Sequence, residues 1–226
     1  MKHILSILAI IISSTVFAQD PIEKTIGEFK ELKVYDLIEV ELIESEENKV
    51  VISGDNSEDV VVNNKNGKLK IKMKLEEIFD GNKTRVKLYY TSLDIIDANE
   101  GAKVFSEAEI KQFEIDLKAQ EGAKIDVKIH VTYTNIKAVT GGVITTSGTS
   151  ENQKISLLTG GVYNGEELKT DNTEVAIRAA GEAHVNASKL VDAKIRAGGD
   201  VFIYGEPEHV NESRVFGGRI KHMKQP

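Results

Sequence analysis

Ala119-Gln120-Glu121-Gly122-Ala123-Lys124-Ile125 decides how this chain is read, because versions of it recur on both sides. Upstream stands Ala98-Asn99-Glu100-Gly101-Ala102-Lys103-Val104. Downstream come Val139-Thr140-Gly141-Gly142-Val143, Leu158-Thr159-Gly160-Gly161-Val162 and Ala179-Ala180-Gly181-Glu182-Ala183. Ala197-Gly198-Gly199-Asp200-Val201 and Phe216-Gly217-Gly218-Arg219-Ile220 complete the series. Anchored on Gly101, Gly122, Gly141, Gly160, Glu182, Asp200 and Gly218, the steps are 21, 19, 19, 22, 18 and 18 residues. A period near twenty is the signature of a solenoid.

The flanks of each corner say what kind of solenoid. Ile115, Leu117 and Ala119 alternate with Asp116 and Lys118, and Ala123, Ile125, Val127 and Ile129 alternate with charged residues. Period-two alternation is a strand with one face inward and one in water. A small residue or Gly at each corner suits a tight turn with positive φ. The expectation is an all-β, right-handed parallel β-helix of about 20 residues per coil. Ile96, Leu117, Ile136, Ile155, Ile177, Ile195 and Ser213 are expected to form one inward ladder. The 46 Val and Ile against 14 Leu favour strands and argue against a leucine-rich repeat.

Upstream, Phe29 to Tyr90 reads as successive strands, with Asn66-Gly67 before Leu69-x-Ile71-x-Met73 as a hairpin signal. A short helical stretch fits Lys74 to Phe79. Met1-Lys2-His3, an apolar run from Ile4 to Ile12, and Val16-Phe17-Ala18 have the order of a secretory signal peptide cut after Ala18. That run is short of the ~20 residues that span a bilayer, and no later stretch is apolar enough to be a transmembrane helix. The organisation is therefore a signal peptide over 1–18 and one β-helix domain over 19–226. Within the domain, 29–95 supplies N-terminal strands and 96–220 the regular coils. The protein is expected in the periplasm, on the outer-membrane surface or secreted.

Composition restricts the function classes. With 29 Lys+Arg against 36 Asp+Glu, the net charge of −7 disfavours nucleic acid as a partner. The absence of Cys removes disulfides, thiolate metal sites and a Cys nucleophile, and aromatic residues at 6% supply few sugar-stacking rings. Neither a zinc-protease, P-loop nor serine-hydrolase motif occurs, and the histidines have no metal-ligand spacing, so the chain reads as a non-enzyme without cofactor. Three surface features are candidates. Lys118, Lys137, Arg178, Arg196 and Arg214 are expected at one outward position of successive coils. They form either a solvated face paired with acids such as Glu174, Asp192 and Glu212, or a stripe for an anionic glycan or partner. Glu182 and Asp200 fall one coil apart and offer a soluble corner, a Ca²⁺-binding pair or the acid pair of a polysaccharide-active enzyme. The run Glu39, Glu41, Glu44, Glu46 and Glu47 reads as an acidic strand face that discourages edge pairing at the N-terminal end.

Several segments together resemble a known family. They are Lys49-Val50-Val51-Ile52-Ser53-Gly54-Asp55, Asn66-Gly67-Lys68-Leu69-Lys70-Ile71, and Val86 through Ala102, followed by the Gly-rich corners at twenty-residue steps. From Phe29 to Ile220 the chain is similar to the DUF2807, or head GIN domain, proteins, the putative auto-transporter adhesins. The resemblance implies a parallel β-helix exported by Bacteroidetes-type bacteria, and it supplies no catalytic residues. The function expected is a non-catalytic envelope module that binds an extracellular glycan or protein. The alternatives are a β-helix polysaccharide enzyme and a purely structural envelope protein.

Overall fold

The computed structural model describes residues 20–224, so the expected signal peptide lies outside the described residues. Eight short strands come first: β1 (Ile22–Thr25), β2 (Glu31–Val34), β3 (Glu39–Glu44), β4 (Lys49–Gly54), β5 (Val60–Lys65), β6 (Lys68–Met73), β7 (Thr84–Tyr90) and β8 (Ile95–Ala98). Five long strands follow: β9 (Lys103–Gln120), β10 (Lys124–Val139), β11 (Val143–Leu158), β12 (Gly161–Ile177) and β13 (Gly181–Arg196). Three short ones close the chain: β14 (Asp200–Tyr204), β15 (His209–Val215) and β16 (Arg219–His222). The chain is nearly all β and stacks parallel coils of about 19 residues into a β-solenoid of about 7 turns. One aliphatic core runs continuously from Phe29 to Ile203.

The corners explain the repeat. Glu100-Gly101, Glu121-Gly122, Thr140-Gly141 and Thr159-Gly160 each place two consecutive residues at positive φ, with Gly second in every case. The second Gly of the paired corners has a different cause. A Cβ on Gly142 or Gly161 would lie 2.2 Å from the carbonyl oxygen of Ala119 or Ala138, one coil away. The doublet therefore joins one backbone conformation to one close approach of stacked backbones.

The inward ladder needs a correction beyond its fourth rung. Ile96, Leu117, Ile136 and Ile155 do stack, but the column continues through Val175, Ala193 and Glu212. Ile177 and Ile195 belong to the neighbouring column, which runs Ala98, Ala119, Ala138, Leu157, Ile177, Ile195 and Arg214. Ser213 instead aligns with Lys194. Anchoring on the Gly corners overcounted the coil after Ile155 by two residues. A slip of two keeps side-chain parity, so Ile177 and Ile195 are still fully buried.

The N-terminal strands also depart from simple succession. β2 pairs in parallel with β6 on one side and β8 on the other, while β3 lies between β7 and β9. The first coil of the chain is therefore the second coil in space. Antiparallel strands close this end: β4 on β7, β1 on β4, and β5 on β6. The acidic face of β3 consequently guards no edge. Glu39 and Glu41 instead meet Arg85 (3.3 Å) and Lys87 (3.4 Å) of the adjacent strand. The helical stretch expected at Lys74 to Phe79 is reduced to one 3₁₀ turn at Leu75–Glu77.

Candidate ligand groove

Midway along β10, β11 and β12 the inward alternation breaks. Val131 and Thr134 are both buried, as are Ser150 and Gln153, and Thr170 and Thr173. Two inward residues three apart mean that the strand bends there. The register stacks these bends: Gln112, Val131, Ser150, Thr170 and Ala187 form one column. Lys111, His130, Thr149, Lys169 and Asn186 form the column before it. Along the bends runs a groove of about 670 Å³, crossing strands β9 to β13 and reaching Gly205 and Glu206.

His130, Thr149, Lys169 and Asn186 border one side, and Glu151, Asp171 and Ser188 border the other. Local bonds hold both sides. Thr149 Oγ1 lies 2.7 Å from His130 Nδ1, and Asn186 Nδ2 donates to the Glu166 carbonyl at 2.9 Å. Lys189 Nζ and Ser188 Oγ donate to the Asp171 carboxylate at 2.8 and 3.1 Å. The Lys189 contact holds the Asp171 carboxyl below the usual carboxylate range and raises the Lys189 ammonium. Beneath the floor, Thr170 Oγ1 lies 2.8 Å from Thr173 Oγ1, which bonds Gln153 at 3.3 Å. Gln153 donates to the Tyr163 hydroxyl, which also lies 2.6 Å from Thr146 Oγ1. Burial pushes the Tyr163 phenol well up, so it stays a neutral member of this network. Satisfied buried networks rigidify their surroundings, and this one supports the floor.

Phe113 and Tyr133 follow the groove-lining residues Gln112 and Thr132 in sequence and themselves line two neighbouring depressions. Phe113 is 66% exposed and Tyr133 43%, with ring centroids 5.3 Å apart and tilted by 60°. Gln112 and Phe113 also line a neighbouring depression of about 430 Å³.

The basic residues expected at one position are distributed over three columns. Lys118 and Lys137 stack, and that column continues through Ser156, Ala176 and Lys194. Arg196, two residues later, aligns with Val215. Arg178 follows Ile177, which pairs with Ile195, so Arg178 and Arg196 share the later column. Arg214 falls on the aliphatic column above Ile195. The final step is 19 residues rather than 18, and a one-residue shift exchanges outside for inside. Lys118 meets Asp116 at 3.3 Å, whereas Asp192 pairs with Lys194 at 2.7 Å rather than with Arg196. All these basic positions lie on the arm of the coil beyond the groove.

The acidic pair is in register as expected, Glu182 opposite Asp200. Asp200 accepts two bonds from Arg219, at 2.7 and 2.5 Å, and Arg219 holds its carboxyl below the usual range. Glu182 Oε1 lies 2.8 Å from His184 Nε2. Each carboxylate is engaged by its own cationic or imidazole neighbour, an arrangement unlike a raised general acid beside a free base. His184 is half-buried. Its ring stacks on Phe202 at 4.6 Å, and its Nδ1 lies 3.2 Å from the Tyr204 hydroxyl. Among the described residues no group of three or more His, Cys, Asp or Glu is placed to hold a metal, and no helix is long and apolar enough to cross a membrane.

The family model described as putative auto-transporter adhesin, head GIN domain, matches residues 28–207. The chain belongs to the DUF2807 family. Among solved structures it is similar to a putative adhesin from Bacteroides fragilis NCTC 9343. The TM-score is 0.82 at 17% identity, covering 90% of this chain and 96% of that one. A putative adhesin from Parabacteroides merdae ATCC 43184 gives 0.70 at 16%, covering 90% and 95%. A protein described as a putative lipid binding protein, from Parabacteroides distasonis ATCC 8503, gives 0.68 at 17%, covering 90% and 97%. At these identities the likeness is one of fold. No curated protein matches the sequence. The groove of this DUF2807 member escaped the sequence reading, although its signal is present. In β10, β11 and β12 a break in the inward alternation marks the bend.

Proposed function

We propose that this DUF2807 member is an exported, non-catalytic, adhesin-like module that binds an extracellular glycan or protein along the groove. The observation that carries the reading is the shape and lining of that groove, about 670 Å³ running across successive coils. Its donors and acceptors are spread along its length rather than converging on one point. Extended recognition uses such an arrangement, whereas catalysis needs an acid, a base and a nucleophile focused on one bond. The adhesin family supports the same role, and the reading of residues 1–18 as a secretory signal supports a location outside the cytoplasm.

The test uses residues 19–226 with Thr149→Arg and Ser188→Arg, two exposed positions on opposite sides of the groove. The double variant fills the groove without touching the core. Adhesion of the protein to bacterial envelope material and to extracellular matrix is expected to fall at least tenfold, with an unchanged thermal melt. Undiminished adhesion overturns the groove as the binding surface. Turnover of any polysaccharide by the unmodified protein overturns the non-catalytic reading.

A further inference from the structure

We infer that the occupant of the groove is a neutral glycan chain lying along the solenoid axis, with a sugar seated on the Phe113 and Tyr133 rings. The inference rests on the groove being the binding surface and adds the chemistry of what it binds.

Direction comes from the register. Each groove wall repeats once per coil, at the strand spacing of about 4.8 Å. An extended pyranose chain advances by about one such spacing per sugar, so successive sugars meet successive coils. Hydroxyl groups on both edges of such a chain match the mixed polar walls. His130, Thr149, Lys169 and Asn186 face one edge, and Glu151, Asp171 and Ser188 face the other.

Charge argues against an anionic chain. The charged lining residues are Lys169 against Glu151, Asp171 and Glu206, and with Lys189 paired to Asp171 the charge is 2 − 3 = −1. A uronic-acid or sulfated polymer would lie against like charge. The basic residues that would suit it, Lys137, Arg178 and Arg196, are on the far arm of the coil. Shape argues against a peptide. Peptide recognition needs pockets for alternate side chains, yet the floor is Val131, Ser150, Thr170 and Ala187, all buried and packed into the core side.

The aromatic pair adds an independent reason. Two large rings, 66% and 43% exposed and on adjacent strands, follow the groove-lining residues Gln112 and Thr132 in sequence. Tyr133 also borders a depression lined by Asn135, Asn152 and Asn172. Exposed rings beside amides suit a pyranose, which has an apolar C–H face and polar hydroxyl edges. The low aromatic content of the chain is thus no obstacle, because two exposed rings are paired on adjacent strands.

The experiment is an array of neutral hexasaccharides (β-glucan, mannan, xylan and galactan), with polygalacturonate, heparin and collagen peptides in parallel. Calorimetric titration of the strongest binder follows. A neutral hexasaccharide is expected to bind. Phe113→Ala with Tyr133→Ala should weaken it at least tenfold without changing the melt, and Arg178→Glu with Arg196→Glu should leave it unchanged. Neutral binding that ignores the aromatic pair overturns the inference. So does binding only of the anionic or peptide probes, or an empty array while the groove-filling variant still abolishes adhesion; the groove itself survives wherever the groove-filling variant abolishes the binding. An empty array together with adhesion indifferent to groove filling overturns both readings.

Discussion

The coils from Ile95 to Arg196 and the strands from Glu31 to Tyr90 use the same inward alternation, yet they stack by different rules. In the later region each coil rests on the one before it in sequence. In the earlier region the chain completes one coil, departs through β4 and β5, and lays its next coil on the opposite face of the first. Alternation creates a strand that can be buried, but it does not choose the neighbour. The choice is made by edges. β4, β1 and β5 run antiparallel and cover the coil that would otherwise present an open parallel edge. At the other end the coil stays parallel, and protection comes from side chains. Glu212 and Arg214 occupy the inward columns above Ala193 and Ile195. Charge at an inward position stops a further coil from stacking.

The comparison breaks most decisively in the core. Ile177→Asp places a carboxylate between Leu157 and Ile195 at a fully buried site and is expected to cost about 4 kcal/mol or more. Leu32→Asp, between Leu69 and Ile96, should cost as much if the out-of-order coil is an equal member of the stack. Circular-dichroism melts decide: a tolerated Leu32→Asp would make the early region an appendage.

The corners give the next effect. Gly161→Val forces a side chain against the Ala138 carbonyl and should cost about 3 kcal/mol. Gly122→Ala meets open space and incurs only the positive-φ penalty, about 1 kcal/mol. Equal losses in chemical denaturation would refute the two-cause account of the Gly doublet.

Within the early region, Asp36 is the fastening. Its carboxylate, 3% exposed, accepts the Met73 N–H at 3.0 Å and the Phe79 N–H at 3.4 Å. Asp36→Ala leaves those donors without that partner and should cost about 2 kcal/mol. The segment 74–80 should then be cut faster in limited proteolysis, while the coils beyond Ile95 keep their protection.

The smallest effects are pH-dependent and opposite in sign at Glu100 and Asp200. Burial and the nearby Asp36 charge raise the Glu100 carboxyl. A raised acid binds its proton more tightly folded than unfolded, so stability falls as pH climbs through its folded value. Glu100→Gln should therefore raise Tm by about 1–2 °C at pH 7, and the gain should vanish below the ordinary Glu range. Asp200, lowered by Arg219, behaves in the opposite way. Its contribution is present above the ordinary Asp value and disappears as pH falls through the folded one. Asp200→Asn should thus lower Tm slightly at pH 7 and not at all in strong acid. Matching pH responses from the two variants would contradict these assignments.

Much of this was legible from residues alone. The corner doublets identified the coil, and Ile115, Leu117, Ala119 and their successors identified its inside. Column membership was not legible beyond Ile155, because coils of 20 and 18 residues preserve parity while moving the register. Arg214 was misplaced because parity fails at a one-residue shift. The groove stayed hidden because Val131, Ser150, Thr170 and Ala187 look like any small residues until stacked bends align them.

By itself, the amino-acid sequence determined that this chain winds into β coils with an aliphatic interior and Gly corners. Those features are local: alternation and positive φ act within a few residues. Only the tertiary structure decided which coil lies on which, which basic residues share a column, and where a groove opens. Those depend on hydrogen-bond register between strands far apart in the chain, and a shift of one or two residues there alters the surface while leaving the local pattern intact.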